Sequence, residues 1–135
     1  MANYYATARS NYFAVKDPPA FENWCREHNL NFWTQDSASQ LYAIVPDDGD
    51  ASGWPNTKWN EAKDEWEEFD FFKELSAHLD FDYVAVLEEA GAEARRYISA
   101  YAVAVNAKGE VSTVRLDDIY EKAKQMGKIV TDAAY

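Results

Sequence analysis

The sequence predicts a single α+β domain over residues 1–135, with an antiparallel sheet of about five to six strands and three to four helices. Two observations favour this class. Segments rich in Tyr, Phe, Val and Thr alternate with segments whose apolar residues recur at helical spacing. In 135 residues, 47% hydrophobic and 16% aromatic content supplies one core, whereas disordered acidic chains are poor in aromatic residues. We find no internal repeat and no segment with the composition of a domain linker.

The first predicted elements are a strand region and a helix. Residues 3–15 are rich in Tyr, Thr, Phe and Val, a composition that predicts one or two strands. Asp17 suits the N-cap of a helix and Pro18 its first position, and we expect the helix to end near His28 or Asn29. The apolar face of this helix consists of Phe21, Trp24 and Cys25.

Two short strands are expected next. Asn31 to Thr34 and Leu41 to Val45 flank a polar turn, and Pro46 ends their pairing. The segment Asp47 to Gly53 contains three Asp, two Gly and a Ser, so we expect an exposed loop there.

A change of period after Lys58 predicts an amphipathic helix with an acidic outer face. Its apolar residues at helical spacing are Trp59, Ala62, Trp66 and Phe69. The acidic residues on its opposite side are Glu61, Asp64, Glu65 and Glu68. The next apolar residues, Phe72, Leu75 and Leu79, are rotated from the first set. We therefore expect a break near Glu68 to Asp70 and two helical pieces.

Three antiparallel strands and a last helix complete the predicted domain. The strands are expected at Tyr83 to Leu87, Arg96 to Val105 and Val111 to Arg115. A loop around Gly91 joins the first two, and a turn at Asn106 to Gly109 joins the second to the third. The middle strand is apolar or small on both faces, so we expect it to be central and buried. A helix is then expected from Asp117 to Met126.

The composition predicts a cytoplasmic protein without a membrane span. Cys25 is the only cysteine and forms no internal disulfide, and the N-terminus lacks the basic start and apolar run of a signal peptide. No stretch of the sequence approaches about 18 consecutive apolar residues.

Negative charge is concentrated in the middle of the chain. The net charge is -11, and Asp47 to Glu93 contains 15 Asp and Glu against three Lys, a net charge of -12. A charge that only maintains solubility is expected to be scattered, with both signs interspersed. Because phosphate contacts require clustered Lys and Arg, we expect no direct binding to nucleic acid or anionic lipid. A partner is expected to carry a basic surface.

No common catalytic signature is present. The sequence has no GxGxxG, GxxxxGK[ST], HExxH, GxSxG or paired CxxC motif, so we predict a binding protein with no catalytic residue, cofactor or metal. Cys25 and His28 are three residues apart on the predicted helix, a spacing that suits a nucleophile and its base. The position of Cys25 on the apolar face favours a buried structural thiol instead.

Two groups of acidic residues could be catalytic or metal-binding sites, or ordinary solvated surface. The first group consists of Glu88, Glu89, Glu93, Arg95 and Arg96. Its carboxylates suit acid–base chemistry or a divalent metal, but we favour a solvated hairpin end with local ion pairs. The second group, Asp47 to Asp50, resembles the start of a calcium loop. It fails that pattern, because Ser52 and Lys58 stand where Gly and Glu are required.

The aromatic residues divide into an expected core and an expected surface. The residues expected in the core are Trp59, Trp66, Phe69 and Phe72, with an exposed binding stripe as the alternative. Trp33 and Trp54 lie in a short strand and a loop and are candidates for exposed anchors. His78 is expected to line or cap the end of its helix.

The acidic helix face provides the candidate binding site. Over Glu61 to Glu74, ~21 Å of helix bears seven carboxylates, or one per ~3 Å. A single DNA strand carries one phosphate per ~3.4 Å, so this face suits a groove that binds phosphates. The predicted partner-binding residues are Asp47, Asp48, Asp50, Glu61, Asp64, Glu65, Glu67, Glu68, Asp70 and Glu74. An inert, solvated face is the alternative interpretation.

Three segments carry a resemblance to a known group of proteins. They are Asn3 to Phe13 continuing through Val15 to Asp17, Glu89 to Tyr97 continuing through Tyr101 to Val103, and Leu116 to Tyr120. They resemble recurring blocks of small acidic proteins encoded on phages and integrative elements of bacteria. Residues 56–68 look like a longer acidic insertion. The resemblance implies a mobile-element setting, in which such proteins often act as anti-CRISPR or anti-restriction inhibitors, and it implies no catalytic residue.

Together these observations predict a counter-defence protein in the cytoplasm of a bacterial host. It is expected to occupy the basic nucleic-acid-binding cleft of a CRISPR effector or restriction nuclease, as a monomer or homodimer. An alternative is a small regulatory module that binds a nucleotide or metabolite in a pocket beside the sheet, near Tyr97 and Tyr101. A third class is a metal-dependent hydrolase that uses Glu88 or Glu89.

Overall fold

The computed structural model describes residues 4–35, 40–46, 53–93 and 97–133, and it confirms the α+β class. The strands are Tyr4–Ser10 (β1), Leu30–Gln35 (β2), Leu41–Pro46 (β3), Thr57–Asn60 (β4), Glu65–Glu68 (β5), Val84–Glu93 (β6), Tyr97–Asn106 (β7) and Val111–Arg115 (β8). The helices are Pro18–Glu27 (α1), Phe71–His78 (α2) and Ile119–Ala123 (α3), and a 3₁₀ turn spans Leu116–Asp118.

Within the described residues the strands form three antiparallel sheets, so the predicted sheet of five to six strands is wrong. The main sheet has four strands in the order β1-β6-β7-β8, while β2 pairs with β3 and β4 pairs with β5. The β2–β3 pair meets β1 through a side chain: the Ile44 N–H donates to the Ser10 hydroxyl at 2.8 Å. An isolated bridge between Phe13 and Tyr42 adds to this junction, but no continuous ladder joins the two sheets.

The first helix agrees with its prediction. The Asp17 carboxylate accepts from the Ala20 N–H at 3.2 Å, Pro18 is the first helical residue and His28 is the C-cap. The buried residues of α1 are Phe21, Trp24 and Cys25. Burial, assisted by the Glu22 carboxylate, raises the pKa of the Cys25 thiol to about 12. The thiol is therefore protonated at neutral pH, which disfavours the nucleophile–base interpretation.

The segment after Lys58 is a hairpin followed by a short helix, so the predicted amphipathic helix is wrong over residues 58–70. Trp59 in β4 lies directly opposite Trp66 in β5, across a turn at residues 61–64. Across this four-residue turn, the second pair of the ladder, Trp59 and Trp66, is seven positions apart in the sequence. A spacing of seven also places two residues on the same face of a helix. The expected break does occur: Asp70 caps α2 by accepting from the Lys73 N–H at 3.1 Å.

The core lies between the inner face of the main sheet and the helices α1 and α2. Its fully buried large side chains include Phe13, Phe21, Tyr42, Ile44, Leu75, Leu79, Leu87 and Val105. Trp54 is also buried, which contradicts its prediction as an exposed anchor, and its ring lies 5.7 Å from that of Phe71. Trp33 is exposed as predicted, and the Arg9 guanidinium lies 5.1 Å from its ring centroid.

The C-terminal strands form the expected meander with different boundaries. Strand β6 continues to Glu93, so Gly91, which was expected in a loop, lies in the strand opposite Ser99. Strand β7 is central, as predicted, but Ile98 is exposed, so burial on both faces is wrong. The last helix is shorter than predicted, because α3 ends at Ala123 rather than near Met126.

Candidate interaction site on an acidic tryptophan hairpin

Two tryptophans stand side by side on the outer surface of the β4–β5 hairpin. The Trp59 and Trp66 ring centroids are 5.6 Å apart at 72°, and the residues are 45% and 65% exposed. Strand alternation directs Lys58 and Asn60 the other way, and both are partly buried. The prediction that these tryptophans belong to the core is therefore wrong. Exposed, adjacent tryptophans are typical of protein-binding surfaces.

Carboxylates are concentrated on the hairpin that carries this tryptophan pair. Residues 57–70 contain six Asp and Glu against two Lys. The exposed carboxylates of the turn and of β5, which we call the acidic rim, are Glu61, Asp64, Glu65 and Glu68. In β5, Glu68 shares the face of Trp66, whereas Glu65 points to the opposite face, as does Asn60 across the ladder. Glu67 is less available to a partner than the residues of the acidic rim, because its carboxylate accepts a hydrogen bond from the Asn60 side-chain amide at 3.0 Å. Asp70 is engaged at the N-cap of α2. The site is thus an aromatic centre with an acidic rim.

Local interactions shape the hairpin turn. The Asn60 side-chain oxygen accepts from the Lys63 N–H at 3.2 Å, and Asp64 adopts a left-handed backbone with φ of 53°. Asn and Asp favour these conformations in turns, so they are the sequence signal that could have revealed a hairpin here. The helix-forming residues between them, Glu61 to Lys63, obscure that signal.

Glu74 was predicted to contact a partner, but the structure gives it an internal role. Its Oε1 accepts from the Trp24 indole N–H at 3.0 Å and lies 3.5 Å from His28 Nε2, while its Oε2 accepts from Lys58 Nζ at 3.3 Å. The carboxylate thereby joins α1, α2 and β4. Burial alone would raise its pKa, but the hydrogen bonds from Trp24 and Lys58 outweigh it, so the pKa of Glu74 is lowered.

Acidification is expected to weaken this connection. The pKa of Glu74 is lower in the folded chain than its ordinary value of about 4.5, so the stabilisation is complete above that ordinary value and is lost as pH falls through the folded value. Urea unfolding over a pH series should show Glu74→Gln less stable than the wild type at neutral pH, with the difference shrinking below pH ~4. Glu121→Gln, at a solvent-exposed ion pair, is the control and should change little. A difference that does not vary with pH would contradict this assignment.

A cleft of about 570 Å³ lies beside the tryptophan pair. It is lined by residues from the end of α1 and from the hairpin, including His28, Asn29, Thr57, Trp59 and Trp66. Both tryptophans therefore border a recess that a side chain from a partner can enter.

Of the remaining acidic and basic residues with a predicted role, some lie outside the described residues and others lie in β6. Asp47, Asp48 and Asp50 lie outside the described residues, as do Arg95 and Arg96. Glu88 and Glu89 lie within β6, not at a hairpin end, and consecutive strand residues point to opposite faces. They are therefore not a paired acid and base. In the described part of the chain, no group of three or more His, Cys, Asp or Glu is arranged to hold a metal ion.

His78 is the last residue of α2 and lines the end of that helix, as predicted. Its ring packs 5.8 Å from the Phe21 ring and 5.2 Å from the Trp24 ring. Burial lowers the pKa of the imidazole, and the neighbouring Glu74 carboxylate opposes that shift.

The two tyrosines of the predicted ligand pocket border different cavities. Tyr101 lines a cavity of about 640 Å³, and Tyr97 lines a separate one of about 530 Å³. The Tyr101 hydroxyl donates to Glu89 at 3.0 Å. The larger cavity has an alanine floor formed by Ala90, Ala100 and Ala102.

A comparison with protein families, curated proteins and solved structures finds no significant match to this chain. The resemblance to small acidic phage proteins, the cytoplasmic location and the counter-defence role therefore stay predictions. None of the helices in the described part of the chain has the length and hydropathy of a membrane span.

Proposed function

We propose that this protein is an acidic inhibitor that binds the basic nucleic-acid-binding surface of a bacterial CRISPR effector or restriction nuclease. The observation that supports the proposal is the exposed Trp59–Trp66 pair on a hairpin that also carries the four exposed carboxylates of the acidic rim. The hairpin is the contact surface, and the rest of the domain holds it in place through Lys58 and Glu74.

The chemistry of this hairpin matches that of a single nucleic-acid strand. Proteins bind such strands in positively charged grooves, where aromatic rings or Arg guanidinium groups stack on the bases. The carboxylate rim offers negative charge to the groove in place of phosphates. The indoles offer flat π surfaces, and a guanidinium over a tryptophan face gains ~0.5–2 kcal/mol.

The mechanism differs from the one that the sequence suggested. A regular helical row of one carboxylate per ~3 Å does not exist, because the segment is a hairpin in which same-face residues of one strand are ~6.7 Å apart. We therefore propose that the hairpin reproduces the charge and the stacking surfaces of nucleic acid, and not the spacing of its phosphates.

Charge reversal of the acidic rim is expected to abolish inhibition. The variant carries Glu61→Lys, Asp64→Lys, Glu65→Lys and Glu68→Lys, all at exposed positions. Lys at the left-handed position 64 costs roughly 1–2 kcal/mol, so circular dichroism must show that the variant is folded. Cleavage of DNA or RNA by a panel of purified bacterial CRISPR effectors and restriction nucleases is measured with and without the protein. We expect inhibition by the wild type to fall steeply as salt rises, and the variant to inhibit at least ~100-fold less well.

A matched variant separates the hairpin from the overall charge. Asp82, Asp117, Glu121 and Asp132 are exposed acidic residues outside the hairpin, and changing all four to Lys alters the net charge by the same amount. This control should inhibit nearly as well as the wild type. Equal loss in both variants, or full inhibition by the rim variant, would rule out the hairpin as the contact surface.

A further inference from the structure

The outer face of the main sheet, meaning the side-chain surface that points away from the core, is largely exposed in the described part of the chain, with the 3₁₀ turn and α3 along one side. Strand alternation places Ala85, Leu87, Val103 and Val105 on the buried inner face, so their neighbours belong to the outer face. One outer row crosses all four strands, with the residues Arg9, Glu88, Ala102 and Val114 in register.

Large apolar side chains are exposed on this face. The residues Tyr5, Val84, Ile98 and Val114 are between 48% and 63% exposed. Leu116 and Ile119 extend the apolar surface beside β7, and a trough of about 640 Å³ with an alanine floor lies between them and the strands. A contiguous apolar surface of this kind is typical of an interface.

The charge of the outer face indicates which kind of partner can bind it. The chain carries a net charge of -11. Among the strand residues that the structure describes, the only charged side chains that point outward are Arg9 and Glu88, which have opposite signs and lie directly opposite each other. At the rim of the trough, Lys122 and Asp118 also have opposite signs. The described part of the face is therefore close to neutral, so it adds little attraction for a basic partner and little repulsion between two copies of the chain.

The dimensions of the face suit a dimer. The four strands have 7, 10, 10 and 5 residues, and at ~3.4 Å per residue and ~4.8 Å between strands they give a projected area of roughly 520 Å². A standard stable interface buries ~800 Å² of accessible surface per partner, and a corrugated sheet presents more accessible than projected area. The alanine rows allow two sheets to approach to the ~10 Å separation of packed sheets.

We propose that two copies of the chain pack outer face to outer face. A twofold axis makes the contact self-complementary, so that the Arg9–Glu88 pair of one copy lies near that of its partner. The hairpin is fixed to α2 on the inner side of the sheet through Lys58 and Glu74, and both hairpins of the dimer remain accessible. The dimer is independent of the proposed inhibition, and it would present two copies of the hairpin to a target.

Light scattering coupled to size-exclusion chromatography tests the proposal. We expect the wild type to have twice the chain mass of 15.4 kDa at micromolar concentration, with little dependence on salt because the contact is mainly apolar. Val114→Lys should weaken the dimer at least ~100-fold, because it places an unpaired ammonium in the interface. Ile98→Lys is a second variant at another exposed outer position. Circular dichroism establishes that each variant is folded.

The matched control lies on the same strand. Val111 is 51% exposed, close to the 63% of Val114, but strand alternation directs it to the inner side. Val111→Lys should remain dimeric. The proposal is overturned if the wild type has the mass of one chain, or if Val111→Lys dissociates as readily as Val114→Lys. A monomer that binds a small apolar dye on this face would also overturn it, in favour of a ligand site.

Discussion

Replacing Trp59 and Trp66 together with alanine is expected to weaken binding of the target nuclease by at least ~30-fold, or ~2 kcal/mol. The two indoles are the largest exposed apolar groups of the hairpin and lie at its centre. Their loss removes both the apolar contact area and the π surfaces offered to guanidinium groups. The measurement is the dissociation constant for a nuclease that the wild type inhibits.

Two comparisons make this result specific. Trp33→Ala removes an exposed tryptophan outside the hairpin, beside Arg9, and should bind the nuclease like the wild type. The double change Trp59→Phe and Trp66→Phe keeps the aromatic surfaces and should retain most of the affinity. Because the cross-strand pair contributes ~0.5–1.5 kcal/mol to the hairpin, amide exchange of β4 and β5 must confirm that the alanine variant keeps its structure. Unchanged affinity in a folded alanine variant would remove the tryptophans from the proposed site.

Gly53→Ala is expected to cause the largest loss of stability from a single methyl group. Gly53 has φ of 97°, a left-handed conformation that costs alanine roughly 1–2 kcal/mol. A Cβ at this position would also overlap the buried carboxylate of Glu89, which accepts from the Trp54 N–H and the Tyr101 hydroxyl, both at 3.0 Å. Hydrogen bonds to a charged group contribute ~1.5–3 kcal/mol each. We expect unfolding to become easier by about 3–5 kcal/mol, with a fall in melting temperature of roughly 10 °C or more.

Gly109→Ala provides the matched control. Gly109 also has a positive φ, 85°, but a Cβ there would meet only the Ser76 hydroxyl, at an ordinary distance of 3.7 Å. Its substitution should therefore cost only the backbone strain, roughly 1–2 kcal/mol. Thermal unfolding that shows the two variants equally destabilised would mean that the contact between residue 53 and Glu89 does not hold this segment on the sheet.

The same contact explains why sequence analysis misplaced Trp54. A tryptophan between Gly and Pro, after an acidic stretch, has the local composition of an exposed loop. Its burial depends on Glu89, which is 35 residues away along the chain. Glu74 was misassigned for a similar reason, because its partner Trp24 is 50 residues away. Neither pairing has a signal in the local period of the sequence.

Local patterns of the sequence were enough to predict the α+β class, the helix capped by Asp17, the β2–β3 pair and the C-terminal meander. They also located the concentration of acidic residues at positions 57–70. Each of these features depends mainly on residues that are close together in the sequence. Whether Trp59 and Trp66 lie on a helix or face each other across a turn could not be predicted this way. A spacing of seven fits both, and the choice depends on how Lys58 and the segment at Trp54 are held by distant carboxylates. Long-range packing therefore decides that the tryptophans lie on the surface and are available to a partner.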